Sequence, residues 1–261
     1  MSQPLAGRHI VVTRPAGQAT HLAEALVAAG AHPVLFPVLA IAPLTDNSTL
    51  VAQIIRLDQY DLAIFISPNA VQMALHEVLS RRPWPTHLRV ATVGRSSEAA
   101  LQAHDLTGQE RQVLCPRGRF DSEALLELPE LQSMEGRRVI IFRGDGGREL
   151  LADTLRQRGA SVDYANCYQR SMPAADPAPL LKLWEAGQLD AITVTSSEGL
   201  HNLAHMVGQL GLAWLRKTPL FVPHTRIAAA AEAFGIHTVI LTEPADAGLL
   251  AGLLRYFSHD N

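Results

Sequence analysis

Cysteine, lysine and aromatic residues are all scarce in this 261-residue sequence. The two cysteines, Cys115 and Cys167, form no CxxC pair, which excludes a disulfide scaffold and a cysteine-ligated zinc cluster. Aromatic residues make up 5% of the chain and hydrophobic residues 48%, so small aliphatic side chains must fill the core. The uncharged stretch 25–45 contains a glycine and three prolines, and it therefore predicts a buried strand and a loop rather than a membrane span.

The charge is nearly balanced, with a net value of −3. This excludes a broad surface that follows a nucleic-acid backbone, which needs a basic excess. Of the 22 basic residues, all but Lys182 and Lys217 are arginine, whose planar fork suits carboxylates and phosphates, although genomic base composition could also produce this bias. The first residues show no signal peptide. We expect a cytoplasmic protein with no nucleic-acid or membrane partner.

The chain is an internal repeat with an offset of 129 positions. The offset aligns three separated blocks, and chance does not hold one register across all of them. The aligned pairs are Gly7–Arg14 with Gly136–Arg143, Asp61–Ser67 with Asp190–Ser196, and Val93–Ser96 with Val222–Thr225. Two homologous halves therefore account for nearly the whole chain.

Each half alternates short Val/Ile/Leu runs with amphipathic helical patterns. Such runs are typical of strands covered on both faces, so each half predicts five βα units of a parallel, doubly wound sheet of flavodoxin-like size. Gly30 and Gly159 stand where helix C-terminal caps are expected. The predicted strands are about 8–13, 33–36, 61–66, 89–93, 112–115, 138–142, 161–165, 190–195, 219–222 and 238–241.

Proline-containing segments follow the second strand of each half, at 37–43 and 166–173. They fit two topologies. Either they are long loops within each contiguous half, or they are paired linkers at which the chain crosses between domains.

Arginine, hydroxyl, amide and glycine residues follow the predicted strands, where parallel sheets bind their ligands. Helix N-termini at these points add free N–H donors, so the ensemble favours an anionic ligand. Each residue taken singly also fits an ordinary turn or cap. The candidates are Arg14, Ser67, Asn69, Gly94, Ser96, Arg143, Gly144, Thr195, Ser196, Ser197 and Thr225, with further arginines at Arg95, Arg148 and Arg226.

Several sharper motifs are absent. Glu149 replaces the third glycine of a dinucleotide loop, and neither a P-loop nor a GxSxG motif occurs. His201 and His205 are spaced to share a helix face, but no third ligand is evident, so we expect no metal site. Tyr168 is placed outside the regular strands, beside polar residues. There it could donate a proton, or it could pack at a domain junction.

Four features together resemble the uroporphyrinogen-III synthase family: Phe65–Val71, Val93–Ser96, Thr195–Ser197 and the isolated Tyr168. The resemblance covers the whole chain. It implies two flavodoxin-like domains with a substrate cleft between them, and it selects the crossing topology. The first domain would combine 1–36 with 174–261 and the second would span 44–165, with linkers at 37–43 and 166–173.

The resemblance also implies a reaction. The family converts linear hydroxymethylbilane, which carries eight carboxylates, to uroporphyrinogen III in haem biosynthesis, with loss of water and inversion of ring D and without a cofactor. Tyr168 becomes the candidate acid, and the strand-end residues would bind the carboxylates. One departure is His224, which stands where the family has a small residue before the threonine. We expect a monomer that could receive its substrate from the enzyme that makes hydroxymethylbilane. The rival hypothesis is a non-catalytic two-lobed binding module for a small anion.

Overall fold

The structure is a computed structural model that describes residues 4–104, 113–147 and 149–258. The chain forms two compact units, one from Met1–Ala40 with Ser171–Asn261 and the other from Ile41–Arg170. Within the described residues, no helix is both long enough and apolar enough to cross a bilayer.

The part of the chain that the structure describes contains ten strands and ten α-helices, which mostly alternate. The strands are β1 (His9–Val12), β2 (His32–Leu35), β3 (Ala40–Ala42), β4 (Leu62–Phe65), β5 (Arg89–Thr92), β6 (Arg138–Gly144), β7 (Ser161–Ser171), β8 (Leu189–Thr193), β9 (Leu220–Val222) and β10 (Val239–Leu241). The helices are α1 (Ala16–Ala28), α2 (Ser48–Ile55), α3 (Pro68–Leu79), α4 (Arg95–Gln102), α5 (Ser122–Leu126), α6 (Leu150–Gln157), α7 (Ala178–Glu185), α8 (Ser197–Leu215), α9 (Thr225–Ala233) and α10 (Ala245–Ser258).

Nine of the ten predicted strand regions are confirmed as strands, and the structure differs from the prediction in three places. The region predicted at 112–115 contributes only an isolated parallel bridge between Leu114 and Ala91, and residue 112 lies outside the described part of the chain. Strand β3 was not predicted, and β7 runs six residues past its predicted end at 165.

Each sheet takes strands from both sequence halves. The orders are β10-β9-β8-β1-β2 in one unit and β3-β7-β6-β4-β5 in the other. The first two strands of each repeat thus pair with the later strands of the other repeat. All neighbouring strands in β10-β9-β8-β1-β2 and in β7-β6-β4-β5 are parallel. A topology of two contiguous halves is therefore wrong.

The pairing of strands from different repeats is visible in a contact that occurs once in each sheet. In one unit the Asp190 carboxylate accepts hydrogen bonds from the His9 backbone N–H at 2.9 Å and from Arg8 at 2.7 Å. In the other, Asp61 accepts from the Arg138 backbone N–H at 2.8 Å, and from its neighbouring arginine at 3.2 Å. These residues are repeat equivalents, so the same carboxylate joins the same two strands in each sheet.

The strands are continuously apolar because both faces of each sheet are covered. In β1, Val11 packs into one hydrophobic cluster, while Ile10 and Val12 pack into the cluster on the opposite face. The helix ends follow the expected chemistry as well. Gly30 and Gly159 have φ values of 90° and 93° just after α1 and α6, a conformation that glycine adopts without a Cβ penalty.

We predict that Asp190→Ala lowers the free energy of unfolding by about 1–3 kcal/mol, because the backbone N–H of His9 then loses its partner. Asp190→Asn keeps a carbonyl acceptor and should cost clearly less. Urea denaturation of the two variants checks this. Equal costs would show that the charge, and not the acceptor for the strand, carries the effect.

Candidate functional site

Four neighbouring strands of the second unit bring candidate residues to the carboxyl edge of its sheet. The sheet order β7-β6-β4-β5 places Tyr168, Gly144, Ser67 and Gly94 in that sequence along the edge. All four were candidates from the sequence. The structure brings the first three into direct contact.

Tyr168 lies within β7, so its expected place outside the regular strands is wrong. Strand β7 continues because β6 extends to Gly144 and keeps it paired. A register shift occurs there: Arg143 pairs with Asn166 and Gly144 with Tyr168, so one extra residue, Cys167, is accommodated on β7. The bulge redirects the Tyr168 side chain across the end of β6.

Gly144 is the residue over which the Tyr168 ring lies. A Cβ built on Gly144 would be 2.5 Å from Tyr168 Cε2 and 2.7 Å from Cζ, distances that real atoms do not reach. Only glycine therefore allows the ring to occupy this position. The requirement is steric, since Gly144 is not among the glycines with a positive φ.

The Tyr168 hydroxyl lies 3.1 Å from Ser67 Oγ, at the start of α3. Ser67 is the N-cap of that helix, and its Oγ also accepts the Ala70 backbone N–H at 3.1 Å. Tyr168 is only 4% exposed, and burial raises the pKa of its phenol while the hydrogen bond between Tyr168 and Ser67 opposes the rise. The phenol is therefore protonated at neutral pH.

The loop after β6 fixes the strand that carries Tyr168. The Asp145 backbone N–H donates to the Tyr168 carbonyl at 3.0 Å. The Asp145 carboxylate accepts the Arg170 backbone N–H at 2.7 Å, and the Arg170 guanidinium donates to the Asp145 carbonyl at 3.0 Å. Sequence reasoning missed Asp145, because no pattern shows that its loop pairs with β7.

Arg143 is buried with its guanidinium engaged within the protein. Its Nε donates to the Gly146 carbonyl at 3.1 Å, and Nη1 lies 3.3 Å from Glu149. The guanidinium also lies over the Tyr164 ring, 4.2 Å from its centre, and the Tyr164 hydroxyl donates to Glu149 at 2.6 Å. The structure thus places Arg143 as a support of the loop. The neighbouring Arg148 lies outside the described residues.

The remaining candidates of this unit lie in the first turns of α3 and α4. Gly94 is the N-cap of α4, its backbone N–H donates to Thr92 Oγ1 at 3.1 Å, and a Cβ at Gly94 would make ordinary contact with Phe120. Ser96 is exposed in the first turn of α4, and Asn69 is half-buried in the first turn of α3.

In the first unit, Thr195, Ser196 and Ser197 connect β8 to α8. Ser196 is the N-cap of α8 and accepts the Gly199 backbone N–H at 2.9 Å, which repeats the role of Ser67. Ser197 Oγ is buried and makes no hydrogen bond within the part of the chain that the structure describes.

Two further candidates of the first unit lie at the ends of β1 and β9. Arg14 pairs with Asp246 at 2.6 Å, and the same carboxylate lies 3.0 Å from His21. Thr225 is exposed at the first position of α9, where His224 is the N-cap without a side-chain hydrogen bond to the helix. Sequence reasoning missed Asp246, since the approach of α10 to β1 depends on the exchanged topology.

The two mainly parallel sheets, packed on both faces, define a doubly wound α/β protein. The family described as "Uroporphyrinogen-III synthase HemD" matches residues 20–251. Uroporphyrinogen-III synthase of Escherichia coli (strain K12) is 35% identical over 248 residues, covering 94% of this chain and 99% of that protein. The enzyme of the same name from Synechococcus elongatus is 31% identical over 217 residues, covering 81% of this chain and 80% of that protein. The chain belongs to the uroporphyrinogen-III synthase family.

Solved structures support the fold. A mutant uroporphyrinogen III synthase from the extremely thermophilic bacterium Thermus thermophilus matches with a TM-score of 0.65 at 19% identity, covering 97% of this chain and 100% of that chain. The Helicobacter pylori uroporphyrinogen-III synthetase matches with a TM-score of 0.58 at 15% identity and the same coverage.

We predict that Gly144→Ala displaces the Tyr168 ring and destabilises the protein by about 1–3 kcal/mol, as overpacking does. In a Tyr168→Ala background the same change should cost much less, because the ring is gone. Gly17→Ala is the matched control, since a Cβ there meets nothing within 4 Å. Denaturation of the four variants measures the coupling, and additive costs for the two site changes would contradict the contact.

We also predict that the stabilising effect of the Tyr164 hydroxyl is lost at alkaline pH. Burial and the bond to Glu149 raise the pKa of Tyr164 to about 12, from its ordinary value near 10. The contribution is therefore complete below pH 10 and disappears as pH rises from about 10 to about 12. The difference in unfolding free energy between wild type and Tyr164→Phe should shrink over this range, and a constant difference would refute the assignment.

Proposed function

We propose that the chain cyclises hydroxymethylbilane to uroporphyrinogen III, with loss of water and inversion of ring D. One observation carries the proposal beyond the family relationship: a buried, protonated phenol is held over the carboxyl end of β6, at the edge where parallel sheets bind their ligands. The non-catalytic binding module is not favoured, because the curated relatives are synthases over nearly their full length.

Tyr168 acts as the general acid. The hydroxymethyl oxygen leaves as water when the Tyr168 hydroxyl gives it a proton and the C–O bond breaks, with the bonding electrons going to oxygen. The pyrrole ring takes up the positive charge as an azafulvene cation. The substituted carbon of ring D, which already carries the methylene bridge from ring C, attacks the azafulvene methylene and forms a spiro intermediate. The bond from that carbon to the ring C bridge then breaks, and the bridge bonds to the free α-carbon of ring D, which inverts the ring. The proton released when the product regains aromaticity can restore the phenol.

The substrate's eight carboxylates are matched by the strand-end groups of each unit. Backbone N–H groups in the first turns of α3, α4, α8 and α9 favour negative charge. Hydroxyl and amide side chains add donors there, and Arg14 adds a positive charge that Asp246 orients. The proposed binding residues remain Arg14, Ser67, Asn69, Gly94, Ser96, Arg143, Gly144, Thr195, Ser196, Ser197 and Thr225, with Arg143 and Gly144 acting through the loop and the ring that they support.

We also propose a domain organisation and an oligomeric state. The two units are flavodoxin-like domains, since both sheets contain the strand order 2-1-3-4 when counted from their repeat start, and the first sheet continues to a fifth strand. The chain crosses between them within segments 37–43 and 166–173, which also contain β3 and the end of β7. Residues 1–36 and 174–261 belong to one domain and 44–165 to the other. The enzyme works as a cytoplasmic monomer without a cofactor, and can take its reactive substrate directly from the enzyme that makes it.

We predict that the purified protein converts hydroxymethylbilane to the type III isomer. Chromatography of the oxidised products measures this. Formation of the type I isomer alone, as in the spontaneous reaction, would contradict the proposed function.

We predict further that Tyr168→Phe lowers kcat about 100-fold or more without unfolding the protein, since one general acid is lost. Tyr256→Phe, in α10, is the matched control and should retain wild-type turnover. Unchanged turnover of Tyr168→Phe would remove Tyr168 as the acid while leaving the isomer assay to decide the reaction.

A further inference from the structure

Three groups form a chain of hydrogen bonds that ends on the phenol. The Ala70 backbone N–H donates to Ser67 Oγ, and Ser67 Oγ lies 3.1 Å from the Tyr168 hydroxyl. The Ala70 N–H can only donate, so it uses a lone pair of Ser67 and leaves the serine proton available. Ser67 can direct that proton to the Tyr168 oxygen.

We propose that Ser67 is a positioning residue for the acid: its hydroxyl donates to the Tyr168 oxygen, so the phenol proton is free for the substrate and the phenolate that remains is stabilised. The inference rests on the proposed function, because it assigns Ser67 a task in the step that Tyr168 performs. It differs from carboxylate binding, since Ser67 acts through Tyr168.

The negative charge that the step leaves on the Tyr168 oxygen needs a hydrogen-bond donor such as Ser67. When the Tyr168 proton passes to the leaving hydroxyl, the C–O bond breaks, water departs and a negative charge remains on the phenolic oxygen. The phenol is buried, and an uncompensated charge there is costly. Hydrogen bonds to charged groups are stronger than neutral ones, so the Ser67 bond strengthens as the charge develops.

Other groups around the phenol also affect how well it carries a negative charge. Burial raises the pKa of Tyr168, and Ser67 is the largest influence that lowers it. Arg170 also lowers the pKa, whereas Cys167 and Asp145 raise it. The N-terminus of α3, which Ser67 caps, carries a partial positive charge that acts in the same sense.

The repeat supplies an internal comparison. Ser196 caps α8 through the Gly199 N–H at 2.9 Å, as Ser67 caps α3 through Ala70. The position equivalent to Tyr168 in the other repeat is Leu39. The two serines therefore share the capping role, and only Ser67 faces a phenol.

The test replaces Tyr168 by 3,5-difluorotyrosine, whose lower pKa brings the titration into a range where the protein is folded, and follows it by ¹⁹F NMR. In Ser67→Ala we expect the pKa of the fluorinated phenol to rise by about one unit, the equivalent of one lost hydrogen bond to a charge. Ser67→Thr keeps the hydroxyl and should restore the original pKa. Ser196→Ala loses an equivalent cap and should leave it unchanged.

Turnover is measured in the same serine variants with the natural Tyr168. Ser67→Ala should lower kcat about 10-fold or more, with a smaller change in KM, and Ser67→Thr should recover most of the loss. Ser67→Gly is the second hydroxyl-free variant, because glycine is tolerated at an N-cap and the fold is retained.

An unchanged phenol pKa in both Ser67→Ala and Ser67→Gly would overturn the inference, as would full kcat in both variants. These outcomes are separate from failure of the proposed function. If Tyr168→Phe were fully active, Tyr168 would not be the acid. If Tyr168→Phe were slow while Ser67→Ala left both pKa and kcat unchanged, only the role of Ser67 would be lost.

Discussion

The structure depends on the exchange of strands between the two sequence repeats. Each sheet joins the first two strands of one repeat to later strands of the other, so neither repeat completes a sheet alone. The carboxylates of Asp61 and Asp190 mark this exchange, since each accepts a backbone N–H from the opposite repeat. The candidate site has the same origin: Tyr168 comes from the second repeat and Ser67 from the first.

Much of this fold could be predicted from the sequence. The 129-residue register and the Val/Ile/Leu runs locate nearly every strand, because strands covered on both faces leave a simple apolar pattern. The extension of β7 through Tyr168 could not be predicted in this way. Its residues are polar, and pairing with the end of β6 holds them in the sheet across a one-residue bulge.

The candidate site was predictable by residue type and only partly by role. Strand ends followed by hydroxyl and glycine residues pointed to Ser67 and Gly144. Tyr168 was indicated by its position beside polar residues outside the predicted strands, and neither signal showed that the three residues touch. The steric need for Gly144 depends on where the Tyr168 ring lies, which only the folded sheet defines. Arg143 shows the opposite case. Its place after a strand suggested anion binding, whereas Glu149 and the Tyr164 ring engage its guanidinium.

We propose that Tyr168 delivers the proton on which water leaves. A substrate analogue whose leaving group needs no proton, such as an acetoxymethyl bilane, tests this role. Tyr168→Phe should turn over the analogue as fast as the wild-type protein does, while it remains slow with hydroxymethylbilane. An equal defect with both substrates would refute the role, because Tyr168 would then act on a step other than the departure of water.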